Sequence, residues 1–253
     1  MADDIQPAAE PGTEGRVALI IGASGGLGAA VAHVLDRRGY RLALHYTTGA
    51  DRAHKLAAEL SGPSTVVQAD VADWAVTQDM AGRVRAELGG ISVLVNAGAV
   101  RHDGFMATQA VDDWTRTVAV NLLGTFHTCR AVLPDMMRAR WGRIINVVSP
   151  AGLIGSRGQT AYSAAKAGVL GMTRSLALEC GRFQITVNAL SPGLMATAMT
   201  EDIPARSRAT LMARTAFSRM ATPDEVAQGI TLLLDADYMT GQVLSIDGGM
   251  SIS

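Results

Sequence analysis

The chain has 253 residues, enough for one large α/β domain or two small ones, and 48% apolar with only 18% charged residues excludes a chain disordered throughout. A net charge of −1 with no long basic run leaves no electrostatic footprint for nucleic acid or an anionic membrane. Two cysteines without CxxC spacing and five scattered histidines argue against a disulfide framework and a metal site, while 27 glycines favour tight turns and close approach of backbone to a ligand.

Residues 1–14 are rich in Asp, Glu, Pro and Gly and lack a basic stretch leading into an apolar one. They read as a flexible tail, not a secretory signal. No apolar stretch reaches bilayer length, so the expected location is the cytoplasm. Residues 15–253 read as one domain.

Arg16 to Ile21 (RVALII) predicts the first strand, and a glycine cluster follows. The spacing then predicts a helix over Ala29 to Arg38, with Val31, Val34 and Leu35 on one face and Gly39 at its end. A strand over Arg41 to Tyr46, a helix over Ala53 to Leu60 and a strand over Thr65 to Ala69 come next. Asp73 to Leu88 repeats Val76, Met80, Val84 and Leu88 at helical spacing. Ser92 to Asn96 is a strand, and Asp112 to Arg138 a long helical stretch with an expected interruption near Pro134. Strands over Arg143 to Ser149 and Gln184 to Leu190 flank a helix over Ala161 to Gly181. Thr222-Pro223-Asp224-Glu225 has the form of a capping box, and Gln242 to Ile246 is the last strand. Apolar strands alternating with helices predict a parallel sheet covered on both faces, a doubly wound α/β fold. The least regular segment, 194–217, falls where a substrate lid is expected.

Gly22-Ala23-Ser24-Gly25-Gly26-Leu27-Gly28 joins the first strand to the first helix. A helix start there offers unpaired N–H groups and a positive dipole end to a pyrophosphate. An acid at the end of the second strand would bind the ribose 2′-hydroxyl of NAD and repel a 2′-phosphate. Here the stretch reads Leu44-His45-Tyr46-Thr47-Thr48, with no acid before Asp51. Ser24, Thr47 and Thr48 offer hydrogen bonds to a phosphate and Arg52 offers charge, so NADPH is expected over NADH; the alternative is an ordinary loop that tolerates both. Asp70-Val71 ends the third strand, where a carboxylate accepts from an adenine amino group. Asn96-Ala97-Gly98 ends the fourth. Open α/β sheets bind ligands at these carboxyl ends.

Tyr162 and Lys166 stand at i and i+4 on one helix face. A phenol near pKa 10 is a poor acid at neutral pH, and a neighbouring ammonium lowers it. Such a phenol protonates an alkoxide as hydride arrives. Ser149 ends a strand 13 residues earlier, where its hydroxyl can anchor a carbonyl. Asn121, in an apolar helical setting, either satisfies backbone groups or holds a water linking Lys166 to solvent.

With these residues in order, the chain resembles the short-chain dehydrogenase/reductase family over its whole length after the tail. The likeness rests on the GxxxGxG turn, Asn96-Ala97-Gly98, Asn121, Ser149, Tyr162, Lys166 and Ser191-Pro192-Gly193. It implies an Asn–Ser–Tyr–Lys tetrad, with Lys166 on the nicotinamide ribose and Pro192, Gly193, Met195 and Thr197 at the nicotinamide end. It also implies a seven-stranded Rossmann-type sheet and a homotetramer. GQTAYSAAKAGVLGMTRSLALE, ITVNALSPG and TGQVLSIDGG bring it nearest to 3-oxoacyl-[acyl-carrier-protein] reductases and polyketide ketoreductases. Those enzymes dock an acidic carrier protein on basic residues. Arg140 matches one such position; the other falls on Phe183, with Arg182 adjacent. Solvated helix ends are the alternative for both arginines. Ile21, Gly25 and Val95 depart from a usual Thr, a frequent Arg and a usual Asn. The expected reaction is NADPH-dependent reduction of a 3-oxoacyl thioester. The alternatives are a reductase or dehydrogenase of a free ketone or alcohol and, outside catalysis, an NADPH-binding sensor or scaffold.

Overall fold

Five successive apolar residues bury both faces of β1 (Val17–Ile21). Around it a computed structural model, describing residues 15–197, 200 and 205–252, builds a seven-stranded parallel sheet. The strands are β2 (Arg41–Tyr46), β3 (Ser64–Gln68), β4 (Ile91–Asn96), β5 (Gly142–Val147), β6 (Ile185–Pro192) and β7 (Val243–Ile246). Their order is β3-β2-β1-β4-β5-β6-β7. The chain reverses direction of winding between β1 and β4, which opens a crevice at their carboxyl ends.

Two apolar layers hold the helices. On one face α3 (Trp74–Leu88), α5 (Gly124–Ala139) and α7 (Thr160–Cys180) pack Met80, Val84, Val132 and Met136 against Leu19, Leu94 and Ile144. On the other, α1 (Gly26–Arg37), α2 (Ala50–Glu59) and α9 (Pro223–Asp235) pack Val31, Leu35, Leu56 and Ile230 against Ile20, Leu42 and Val93. Each fully buried Leu or Ile contributes about 1.5–3 kcal/mol. The capping box opens α9 as expected: Glu225 N–H donates to Thr222 Oγ1 (3.2 Å), and Thr222 N–H to Glu225 Oε2 (2.8 Å).

Two helix starts and one interruption differ from the sequence reading by three residues or more, the other ends by two at most. The first helix starts at Gly26, because the glycine turn feeds straight into it. The second starts at Ala50, after Gly49 in the left-handed region (φ 84°). The long helical stretch is interrupted at Ala119–Leu123, a π-helical turn between α4 (Val111–Val118) and α5, not at Pro134. Pro134 lacks only its own N–H and is carried inside α5, whereas the wider turn accommodates the buried amide of Asn121.

Two short helices went unpredicted: α6 (Pro150–Ile154) and α8 (Ala205–Met212). The second lies within 194–217, whose base is closed by Ala221 N–H to Leu194 O (2.9 Å) and Ala196 N–H to Ala221 O (3.0 Å). The tail assigned to residues 1–14 lies outside the described residues, as does part of 194–217. Among the described residues no helix is long and apolar enough to cross a membrane.

Candidate active site

The turn after β1 is built for close approach. Gly22 has φ 79°, and a Cβ there would stand 2.5 Å from Gly98 Cα. Only glycine lets the β1 and β4 turns touch this way. A Cβ on Gly28 would stand 2.3 Å from Gly22 O. Leu27 is buried beside them. Gly25 caps α1 without a side-chain bond, and the first turn contains no acid. Its N–H groups therefore fit an anion such as a pyrophosphate.

His45, which the sequence reading passed over, fixes this turn. Gly22 N–H donates to its Nδ1 (3.1 Å), so Nε2–H donates to Ala69 O (3.1 Å). Burial pushes its pKa down to about 4, leaving a neutral imidazole that ties the glycine turn to the end of β3.

At the end of β2, Thr47 Oγ1 donates to Ala69 O (2.9 Å) and Ser24 Oγ to Thr48 O (3.2 Å). Arg52 donates from Nε to Ser24 O (3.1 Å), so its guanidinium lies against the turn. Tyr46 stands half-buried beside them, its ring 6.5 Å from that of His54. Asp70 accepts from Ala72 N–H (3.1 Å) and from Arg116 (2.9 Å). Burial pushes its carboxyl up, but Arg116 and Ala72 outweigh that and hold it below the ordinary value. Val71 packs against Gly124, where a Cβ would meet Val71 Cγ2 at 2.6 Å.

Ala97 N–H donates to Ile21 O (3.0 Å) and Gly193 N–H to Ile246 O (3.0 Å), aligning the ends of β1, β4, β6 and β7. Pro192 closes β6, Met195 bridges to Ala221, and the Thr197 methyl packs against Gly26. Asn96 is different: its amide is buried and bonded to Thr128 and Asn146, so only its backbone faces the crevice end.

Ser149 caps α6 by accepting from Ala151 N–H (3.2 Å), and its hydroxyl comes near enough to Tyr162 to pull the phenol pKa down. A strand end and a helix face thus converge. Lys166 is buried and donates to Val147 O (2.7 Å), with Nζ 5.6 Å from the Tyr162 ring centre. Burial lowers its pKa to about 8. The phenol moves upward: burial dominates, Arg101 and the Ser149 hydroxyl pull it down, and Asp103 pushes it up. The expected acidification by the ammonium is not the balance reached here.

Lys166 has three N–H donors and, among the described residues, one acceptor. Two buried donors beside Tyr162 fit the diol of a ribose. Asn121 answers its two alternatives in part. Its Oδ1 accepts from Val100 N–H (3.1 Å) and its Nδ2 donates to Val100 O (2.7 Å), so its side chain satisfies backbone. Outside the crevice, Arg140 (φ 48°) ends α5 and donates to Arg182 O (3.2 Å), both residues being exposed, while the Arg182 guanidinium lies over the Phe183 ring (4.7 Å).

The short chain dehydrogenase family model matches residues 16–208. Nodulation protein G of Rhizobium meliloti (strain 1021) is 38% identical over 240 residues, covering 94% of this chain and 98% of that protein. The 3-oxoacyl-[acyl-carrier-protein] reductase FabG of Thermotoga maritima is 37% identical over 243 residues, covering 94% and 99%. The 3-oxoacyl-[acyl-carrier-protein] reductase of Homo sapiens is 35% identical over 237 residues, covering 94% and 98%.

Proposed function

The chain belongs to the short-chain dehydrogenase family, and from that premise we propose that it reduces the 3-oxo group of an acyl thioester on acyl-carrier protein, with NADPH as reductant. One observation carries the reading: Ser149 at the carboxyl edge of the sheet and Tyr162 on α7 converge, the serine hydroxyl pulling the phenol pKa down, one helical turn from a buried Lys166 that among the described residues has one acceptor for three donors. Relatives named as 3-oxoacyl-[acyl-carrier-protein] reductases support the substrate class.

When bound, the nicotinamide supplies the hydride. Ser149 holds the ketone oxygen by its hydroxyl. Tyr162, kept protonated by burial, gives its proton to that oxygen as charge develops on it. Lys166 offers its free donors to the nicotinamide ribose, and Asn121 fixes the loop after β4 against the crevice. The first turn of α1 holds the pyrophosphate, with Gly22, Gly26 and Gly28 admitting it, and Asp70 takes the adenine amino group. Ser24, Thr48 and Arg52 take the 2′-phosphate, since no carboxylate at the end of β2 repels it. Pro192, Gly193, Met195 and Thr197 line the nicotinamide end. Residues 194–217 cover the substrate, and Arg140 and Arg182 meet the acidic carrier. The same reading places a homotetramer in the cytoplasm.

The test is NADPH consumption by the full chain with acetoacetyl-CoA and with acetoacetyl-carrier protein. The expected result is turnover of both, with kcat/KM about tenfold or more above that with NADH, a difference of ~1.4 kcal/mol in transition-state binding. Turnover of free ketones without any thioester overturns the substrate class. A preference for NADH overturns the cofactor.

A further inference from the structure

One arginine at the mouth of the crevice has no part in the chemistry above. Arg101 follows the Asn96-Ala97-Gly98 turn, beside the Val100 that Asn121 grips by both N–H and C=O. From that fixed point its Nε reaches Asp103 (3.2 Å), and Asp103 accepts from Gln159 Nε2 at both oxygens (3.1 and 3.2 Å). Gln159 directly precedes α7, three residues before Tyr162. Gly104 N–H to Gly158 O (2.8 Å), and Arg157 over the Phe105 ring (5.1 Å), complete a clasp between the two loops.

The Arg101 side chain is only 24% exposed, and its charge reaches the Tyr162 phenol. Among the described residues Asp103 is its one partner, through Nε, so neither terminal amino group has an acceptor. A strut to Asp103 needs one N–H. The other donors, on a side chain 24% exposed whose charge acts on the proton-donating phenol, remain open to an oxygen from outside the chain.

We propose that Arg101 is a substrate-binding residue that donates to the second carbonyl oxygen of a 1,3-dicarbonyl substrate and so selects 3-oxoacyl compounds over simple ketones. In such a compound the two oxygens sit on carbons separated by a single methylene. The first stays on Ser149 and Tyr162 while a donor beside the phenol takes the second. This rests on the reading of Tyr162 and Ser149 as the carbonyl-reducing pair; it requires neither thioester nor carrier.

The test compares ethyl acetoacetate with 2-heptanone, a monoketone of similar length, for the wild type, Arg101→Met and Arg101→Lys. The wild type favours ethyl acetoacetate. Arg101→Met lowers the ratio of the two kcat/KM values by about 10- to 100-fold, mainly through KM, the size of one charge-assisted hydrogen bond. Arg101→Lys recovers part of that ratio, which a purely structural strut does not explain. A wild type that does not favour ethyl acetoacetate overturns the proposal. So does an Arg101→Met variant that slows both substrates alike. A wild type that reduces ethyl acetoacetate but no thioester discards the carrier-bound substrate of the previous section; a ratio that still falls in Arg101→Met then supports the role of Arg101.

Discussion

Two groups of polar side chains occupy the middle of the sheet, and they differ in how completely they are bonded. Within the fold, Thr128 Oγ1 donates to Asn96 Oδ1 (2.8 Å), Asn96 Nδ2 to Asn146 Oδ1 (2.9 Å), and Asn146 Nδ2 to Thr173 Oγ1 (2.9 Å). This chain runs from α5 across β4 and β5 to α7, and all four residues are buried. At the carboxyl edge, among the described residues, Lys166 has one acceptor for three donors, α1 has no side-chain cap, and the Ser163 and Ser191 hydroxyls are buried without a partner. Buried polar groups that only hold helices to a sheet are matched throughout. The unmatched ones at the carboxyl edge mark where the fold expects something else, while Gln109 Oε1 and Trp114 Nε1, before and within α4, are also buried without a partner among the described residues.

The contrast is broken most severely at Tyr162. Tyr162→Phe removes the proton donor while leaving the packing of the ring. Turnover is expected to fall about 100- to 10,000-fold, with NADPH affinity and thermal midpoint nearly unchanged. Steady-state kinetics and cofactor titration check this, and near-normal turnover would remove Tyr162 from the chemistry.

Asn146→Ala attacks the matched group. It deletes the bonds to Asn96 and Thr173 together with the long one from Cys129 Sγ (3.8 Å), and leaves the Asn96 amide and Thr173 hydroxyl without those partners in a dry interior. The expected loss is about 2–4 kcal/mol of unfolding free energy, with kcat per folded molecule preserved. Urea denaturation beside activity measurements separates the two. A stable but inactive variant would place Asn146 in the wrong group.

Much of this was legible in the sequence, for physical reasons. RVALII, RLALHY and RIINVVS are apolar on both faces, and only a covered parallel sheet accommodates that. The capping box of α9 is four adjacent residues whose bonds are local. What stayed hidden depends on partners distant in sequence. His45 is one polar residue in an apolar strand, and its role appears only once Gly22 and Ala69 converge on it. Asn96 is read at a strand end where backbone comes close to a cofactor, and nothing local tells that its side chain turns to Asn146, 50 residues away. The π turn at Ala119–Leu123 carries no breaker, so Pro134 drew the expected interruption instead. Arg101 has no local signal either, since its contacts lead through Asp103 to Gln159.

The mildest test sharpens the comparison by its sign. An unfolded lysine holds its proton to about pH 10.5, whereas burial brings Lys166 down to about 8. Between those values the unfolded chain binds more protons than the native one, so stability rises with pH across that window. Below pH 8 the native state carries the full cost of a buried ammonium, about 3 kcal/mol for this shift. Lys166→Met removes that cost and also the bond to Val147 O, worth about 1 kcal/mol. The variant is therefore expected to gain about 1–3 kcal/mol at pH 7 while losing turnover, and the gain shrinks toward pH 10. Urea denaturation at both pH values measures it. A variant less stable than the wild type at pH 7 would mean that the ammonium is fully matched within the protein, and Lys166 would then belong with the interior chain, not with the edge.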